Sequence, residues 1–338
     1  MQLNMKKLIL SLFLISSIPL IAAEPKKVLV VGVTTEFRHS SIETAEKVLQ
    51  KLGEDSKAFT VVDVAKQPSV KIPQKPSEPR KPAPLKADAD DKTKAKFESE
   101  SKKYESDLAK YQAAMAKWTP EDDQKVKDAQ AESKAQLKAA MDKLSPENLK
   151  NYDAVIFANT TGDLPIPDRQ AFINWVREGH AFIGMHSASD TLHHGNGDPA
   201  YIAMLGGEFE THGAQVSVDA INKDKEHPAT KHLGDTFTVY DEIYIIKSYH
   251  PENVHELLVL DKHPNTQKPG HYPISWCKEF GKGKVFYTSL GHREDVWNPE
   301  EKGRKNSKEV SEAYQQHILG GIKWALGLVP GDATPQTK

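Results

Sequence analysis

The chain of 338 residues contains one cysteine, Cys277, so no disulfide can close within it and no cysteine-based zinc or iron–sulfur site can form in a single copy. It also has little net charge. Its 45 basic and 47 acidic residues leave −2, which provides no global field for nucleic acid or an anionic membrane surface. No Gly-x-Gly-x-x-Gly follows the first strand-like run, where Gly32 stands alone, and there is no Walker loop, so no nucleotide cofactor is expected. A Gly-x-Ser-x-Gly nucleophile elbow is absent as well. Histidine is plentiful: there are fourteen, thirteen of them between His180 and His317.

The only long apolar run is at the N-terminus. Residues 1–23 read as a secretory signal peptide, with Lys6 and Lys7 before an uncharged run over 8–21 and small residues, Ala22 and Ala23, before Glu24. The run is shorter than the ~20 apolar residues a spanning helix needs. The expectation is therefore an exported protein, periplasmic or extracellular, with no membrane attachment after cleavage.

Residues 67–150 differ from their surroundings. Six prolines between Pro68 and Pro84, interleaved with lysine, predict an extended linker. Phe97, Tyr104, Tyr111 and Trp118 then recur every seven residues, which predicts an amphipathic helix. Thr119-Pro120-Glu121-Asp122 reads as a stop and a new helix cap, and Val126, Leu137, Met141 and Leu144 stripe a second helix. A helical hairpin zipped by the aromatic seam is expected. With 18 basic and 15 acidic residues, the insertion reads first as a solvated decoration, and alternatively as an arm for a protein partner or a second copy.

The remainder, 24–66 and 151–330, reads as one α/β domain followed by a tail over 331–338. Strands are predicted over 27–33, 59–64, 154–158, 181–185, 256–260 and 284–289, and helices over 41–52, 168–178 and 309–326. Such alternation implies a mainly parallel sheet covered on both faces, with an antiparallel extension within 206–249. The glycine-lysine repeat at 281–284 precedes a strand and reads as a hairpin turn, not a phosphate cradle.

Ligands of open parallel sheets bind beyond the carboxyl ends of the strands. Those ends carry Thr34 to His39, Asn159 to Asp163, His186 to Asp190, and Leu290 to Asp295. Of the histidines, His39, His186, His212 and His292 are the candidates for chemistry. His227 and the others read as turn, strand-end or surface residues, and His180 precedes its strand, on the opposite rim. Neutral imidazoles with a carboxylate suit zinc or another divalent ion, although no His-Glu-x-x-His or tight His-x-His marks a site. General acid–base work by one histidine, with Asp241 or Glu242 fixing its tautomer, is the other option.

The set Phe37-Arg38-His39, Gly184-Met185-His186-Ser187-Ala188, Leu205-Gly206-Gly207 leading to His212, Asp241-Glu242-Ile243-Tyr244, the 281–287 repeat and strand, and Leu290-Gly291-His292 before a closing helix with Trp324 resembles the ThuA-like (trehalose-utilization) family. The resemblance runs from residue 27 to 326 and is interrupted by the insertion. It implies a flavodoxin-like three-layer sandwich related to class I glutamine amidotransferases, with His186 where that superfamily keeps its cysteine. Amidotransferase chemistry is therefore not expected, and Cys277 reads as a packed small hydrophobe.

The resemblance also implies a carbohydrate substrate, an oxidised (3-keto) disaccharide or glycoside. On that reading His186, His292 and Glu242 are catalytic, and His39, His186, His212 and His292 are the metal-ligand set. Arg38, His39, Asn159, Thr160 and Ser187 would bind sugar. The alternative is a non-catalytic module that binds a sugar or a partner.

Overall fold

The computed structural model describes residues 24–193 and 197–336, so the signal-peptide stretch lies outside the described residues. The first strand sets the plan. In β1 (Lys26–Val31), Val28 and Val30 enter one core while Leu29 and Val31 enter the other, as a sheet covered on both faces requires. It is followed by α1 (Ile42–Ser56) and β2 (Phe59–Ala65). The insertion then supplies α2 (Asp91–Met115), α3 (Pro120–Asp142) and the single turn α4 (Pro146–Leu149).

The sheet resumes with β3 (Ala154–Ala158), α5 (Arg169–Arg177) and β4 (Ala181–Met185), and a 3-10 turn covers His186–Asp190. The rest of the chain runs α6 (Pro199–Leu205), β5 (Glu208–His212), β6 (Val216–Asn222), β7 (Thr236–Asp241) and β8 (Tyr244–Lys247). It ends with β9 (His255–Lys262), β10 (Pro269–Phe280), β11 (Gly283–Thr288), α7 (Glu294–Trp297) and α8 (Lys308–Ala325).

Nine strands form one sheet in the order β2-β1-β3-β4-β11-β10-β9-β6-β7. The first five pair in parallel and repeat the flavodoxin-like order 2-1-3-4-5, with β11 as the fifth strand. The last four add antiparallel. This antiparallel part is larger than the sequence suggested, because β9, β10 and β11 also meander. Residues 281–282 close the β10–β11 hairpin as expected, with Gly281 at φ 66° and Phe280 opposite Gly283. The two faces are covered by α1, α7 and α8 on one side, and by α5, α6, α4 and the end of α3 on the other.

Thr119 caps α3 in a reciprocal capping box with Asp122, with Pro120 in the first turn. The aromatic stripe of α2 is only half-buried, and α2 has no buried residue. Pro79, Pro82 and Tyr104 line one shallow groove, and Pro84, Leu85 and Phe97 line the next. The stripe therefore borders the Pro-rich stretch, where the sequence suggested a seam between two helices. The insertion is rooted firmly. Met141, Leu144 and Leu149 are buried in the core, Lys143 pairs with Asp63, and the Tyr152 hydroxyl donates to Asp63 at 3.0 Å. At its neck the Ser69 N–H donates to Gln136 Oε1 at 3.1 Å.

Candidate functional site

Three parallel-strand ends and the β7–β8 corner meet at one point. His39 stands in the turn between β1 and α1, and its carbonyl accepts from Ile42 N at 3.3 Å. His186 is the first residue after β4 and has φ 45°, a left-handed conformation that costs a non-glycine residue about 1–3 kcal/mol. His292 follows Gly291 (φ 111°) after β11, and Glu242 follows β7. His39, His186 and Glu242 are buried, and the His292 side chain is mostly so.

The donor atoms converge. His186 Nε2 lies 3.2 Å from His39 Nε2 and 3.8 Å from Glu242 Oε1, and His292 Nδ1 lies 3.2 Å from the same oxygen without the alignment of a hydrogen bond. One ligand atom from each of the four residues fits within 4.8 Å of every other. Ligands at the 2.0–2.1 Å of a tetrahedral zinc site are ~3.3 Å apart, so these spacings suit a shared cation. His186 Nδ1–H donates to the Ser289 carbonyl at 2.7 Å, which leaves its Nε2 lone pair facing His39 and Glu242.

The electrostatics keep lone pairs available. Burial, then the neighbouring His292, pushes His39 down to about 4. Burial, then His39 and His292, holds His186 well below the usual imidazole range. At His292 burial works downward, but the Glu242 carboxylate outweighs it and the pKa is raised. Behind His292, burial pushes the Asp241 carboxyl up to about 6, and its oxygens accept from Gly291 N at 2.7 Å and Arg293 N at 3.2 Å. Asp241 thus fixes the loop that presents His292.

The structure places the other expected residues outside that group of four. His212 ends β5 on a separate two-stranded ribbon with β8; it is exposed, and its Nδ1 lies 3.1 Å from Glu242 Oε2, the far oxygen. Glu242 occupies the corner that the sequence reading gave to His212. Ser187 Oγ is 3.2 Å from His39 Nδ1. Arg38 donates to the Gly32 carbonyl at 2.7 Å. Asn159 Nδ2 ties Ser41 Oγ (3.0 Å) to the Gly291 carbonyl (2.7 Å), and Thr160 bonds Thr191 at 2.7 Å with both threonines buried.

Two further features lie at this rim. The Tyr244 ring lies 4.3 Å, centre to centre, from that of His186. Glu36, Asp190 and His193 form a second group of potential ligands at the same rim. Their signal in the sequence was position alone, since Glu36 and Asp190 also follow β1 and β4. Away from the rim, His180 stacks on Trp175 at 4.2 Å, and Cys277 is buried on β10 against His227.

A family model described as ThuA, trehalose utilisation, matches residues 108–325, more than half of the chain. The chain belongs to the ThuA family. Its match contains His186, Glu242 and His292, whereas His39 comes from the β1–α1 turn before it. Two solved ThuA-like proteins share the fold. One, from Bacteroides uniformis, is 17% identical with a TM-score of 0.54, over 91% of this chain and 95% of that one. The other, from Parabacteroides merdae, is 16% identical with a TM-score of 0.51, over 91% and 92%. No curated protein matches this ThuA-family chain.

Proposed function

We propose that this ThuA-family chain holds one divalent metal ion, zinc foremost, between His39, His186, His292 and Glu242, and acts with it on an oxidised (3-keto) disaccharide or glycoside. The observation that carries the reading is the convergence of three imidazole nitrogens and one carboxylate oxygen within 4.8 Å, at a place where burial lowers the pKa of His39 and His186. The family's association with trehalose utilisation supports a sugar substrate.

A bound ion supplies a Lewis acid for a carbonyl oxygen. The chain supplies orientation. Ser289 sets the His186 tautomer, and Asp241 sets the His292 loop. A proton beside a keto group is acidic, so one positioned base can start cleavage of the neighbouring glycosidic bond. With the four ligands engaged, the exposed His212 is an imidazole close to Glu242 that can move that proton. A second reading rests on the 3.2 Å approach of His292 Nδ1 to Glu242 Oε1, which makes the pair an acid–base couple without metal.

Elemental mass spectrometry on untagged mature protein, residues 24–338, separates the two readings. Near one equivalent of a divalent ion, lost in His186→Ala or His292→Ala, is the expected result. No metal, even after divalent ions are offered, overturns the first reading in favour of the second. Sugar binding without turnover, unchanged by a chelator, identifies a binding module instead. The N-terminal pattern supports export, and N-terminal sequencing of the mature protein is expected to begin at Glu24.

A further inference from the structure

Phe37 sits two residues before His39 in the loop that follows β1. Its side chain is 67% exposed, the most exposed large hydrophobic among the described residues, whereas His39 is 5% exposed. The two rings meet edge-on with centroids 4.8 Å apart, so Phe37 stands at the mouth of the buried histidine group. A singly exposed apolar side chain is ordinary on a protein surface, but this one stands against a buried histidine group. This loop is held in place. Thr161 Oγ1 donates to the Phe37 carbonyl at 2.7 Å, and Thr35 N donates to the Thr161 carbonyl at 3.1 Å. Gly162 packs against the same segment so closely that a Cβ there would lie 2.8 Å from Glu36 Cγ.

An aromatic side chain on a backbone already fixed in place meets a ligand with less ordering cost than one on a loop that must first be ordered. The chemistry of the rim narrows the ligand. Glu36, the residue before Phe37 in the chain, belongs to a polar group with Asp190 and His193 whose ligand atoms lie within 4.8 Å of one another. A pyranose ring has both matching parts: a face of polarised C–H bonds that suits the negative face of an aromatic ring, and a perimeter of hydroxyls.

We infer that Phe37 is the platform on which a pyranose ring of the substrate stacks, outside the histidine pocket where the reacting part of the sugar lies. The inference rests on the carbohydrate reading above and adds the residue that selects for a sugar ring.

The test uses mature protein loaded with zinc, with trehalose and 3-keto-trehalose as probes in isothermal titration calorimetry. Phe37→Ala is expected to weaken the sugar that binds by about tenfold or more. Phe37→Trp is expected to retain binding within about threefold and to change its fluorescence when sugar is added. Metal stoichiometry is expected to stay the same in both variants. Equal sugar affinity in wild type and Phe37→Ala overturns the platform while leaving the carbohydrate reading intact. A wild-type protein that holds zinc but binds neither sugar overturns both. A change in sedimentation of Phe37→Ala with sugar binding preserved makes the ring a contact between copies and likewise overturns the inference.

Discussion

His317 lies within α8, fully buried, with Nδ1 donating to the Ala229 carbonyl at 2.8 Å and Nε2 without a hydrogen-bond partner among the described residues. Burial pushes its pKa down to about 3. Because the folded value is depressed below the 6.5 of an ordinary imidazole, the unfolded chain takes up the proton first as pH falls. The stability contributed by neutral His317 is therefore present above about pH 6.5 and lost progressively below it. His317→Gln, which can keep the bond to Ala229 but cannot be charged, is expected to reduce the stability loss between pH 7 and pH 5 by about 2 kcal/mol relative to wild type. Urea unfolding at the two pH values checks it, and an equal loss in both proteins refutes it.

His39, His186, Glu242 and His292 were legible in the sequence because strand ends are readable and each follows a short β run. The engagements of Asn159 and Thr160 were not. Their partners, Ser41 and Thr191, lie more than thirty residues away or on the next loop, and nothing local in the sequence joins them.

Elements show the same division. Strands β3 and β4 were read to the residue, since a five-residue apolar run buried on both faces has one simple interpretation. The sequence points to antiparallel pairing within 206–249 but not to the separate β5–β8 ribbon, whose pairing depends on an irregular register between Phe209 and Thr211. That ribbon places His212 outside the group of four. Helix α8 packs closer to its neighbours than its periodicity reveals. A Cβ at Gly320 would lie 2.1 Å from the Pro228 carbonyl oxygen, and one at Gly321 would lie 2.6 Å from the Phe286 ring. Gly320→Ala raises helix propensity yet meets backbone that cannot move aside, so a net destabilisation of roughly 1–3 kcal/mol is expected. A denaturant midpoint at or above that of wild type contradicts this packing.

At the scale of the molecule, the insertion and the sheet are joined at a narrow neck. Replacing residues 70–135 by a short Gly-Ser linker is expected to leave the fold and the metal stoichiometry unchanged, because Ser69 and Gln136 already touch. Extending the deletion through Leu149 removes Met141, Leu144 and Leu149 from the core and is expected to give an unfolded chain. Circular dichroism and metal analysis on the two deletions decide the matter. Loss of metal in the shorter deletion, with the fold intact, makes the insertion part of the site.

The strand order has a consequence in time. His39 arrives with the first strand of the chain, whereas His292 depends on β11, which lies between β4 and β10 near the end of the sequence. A nascent or truncated chain that stops before β11 can build the parallel strands β2, β1, β3 and β4, yet it lacks one corner of the pocket. On the metal reading proposed above, the full set of four ligands exists only once β11 has been made, so the complete site marks a chain that is whole.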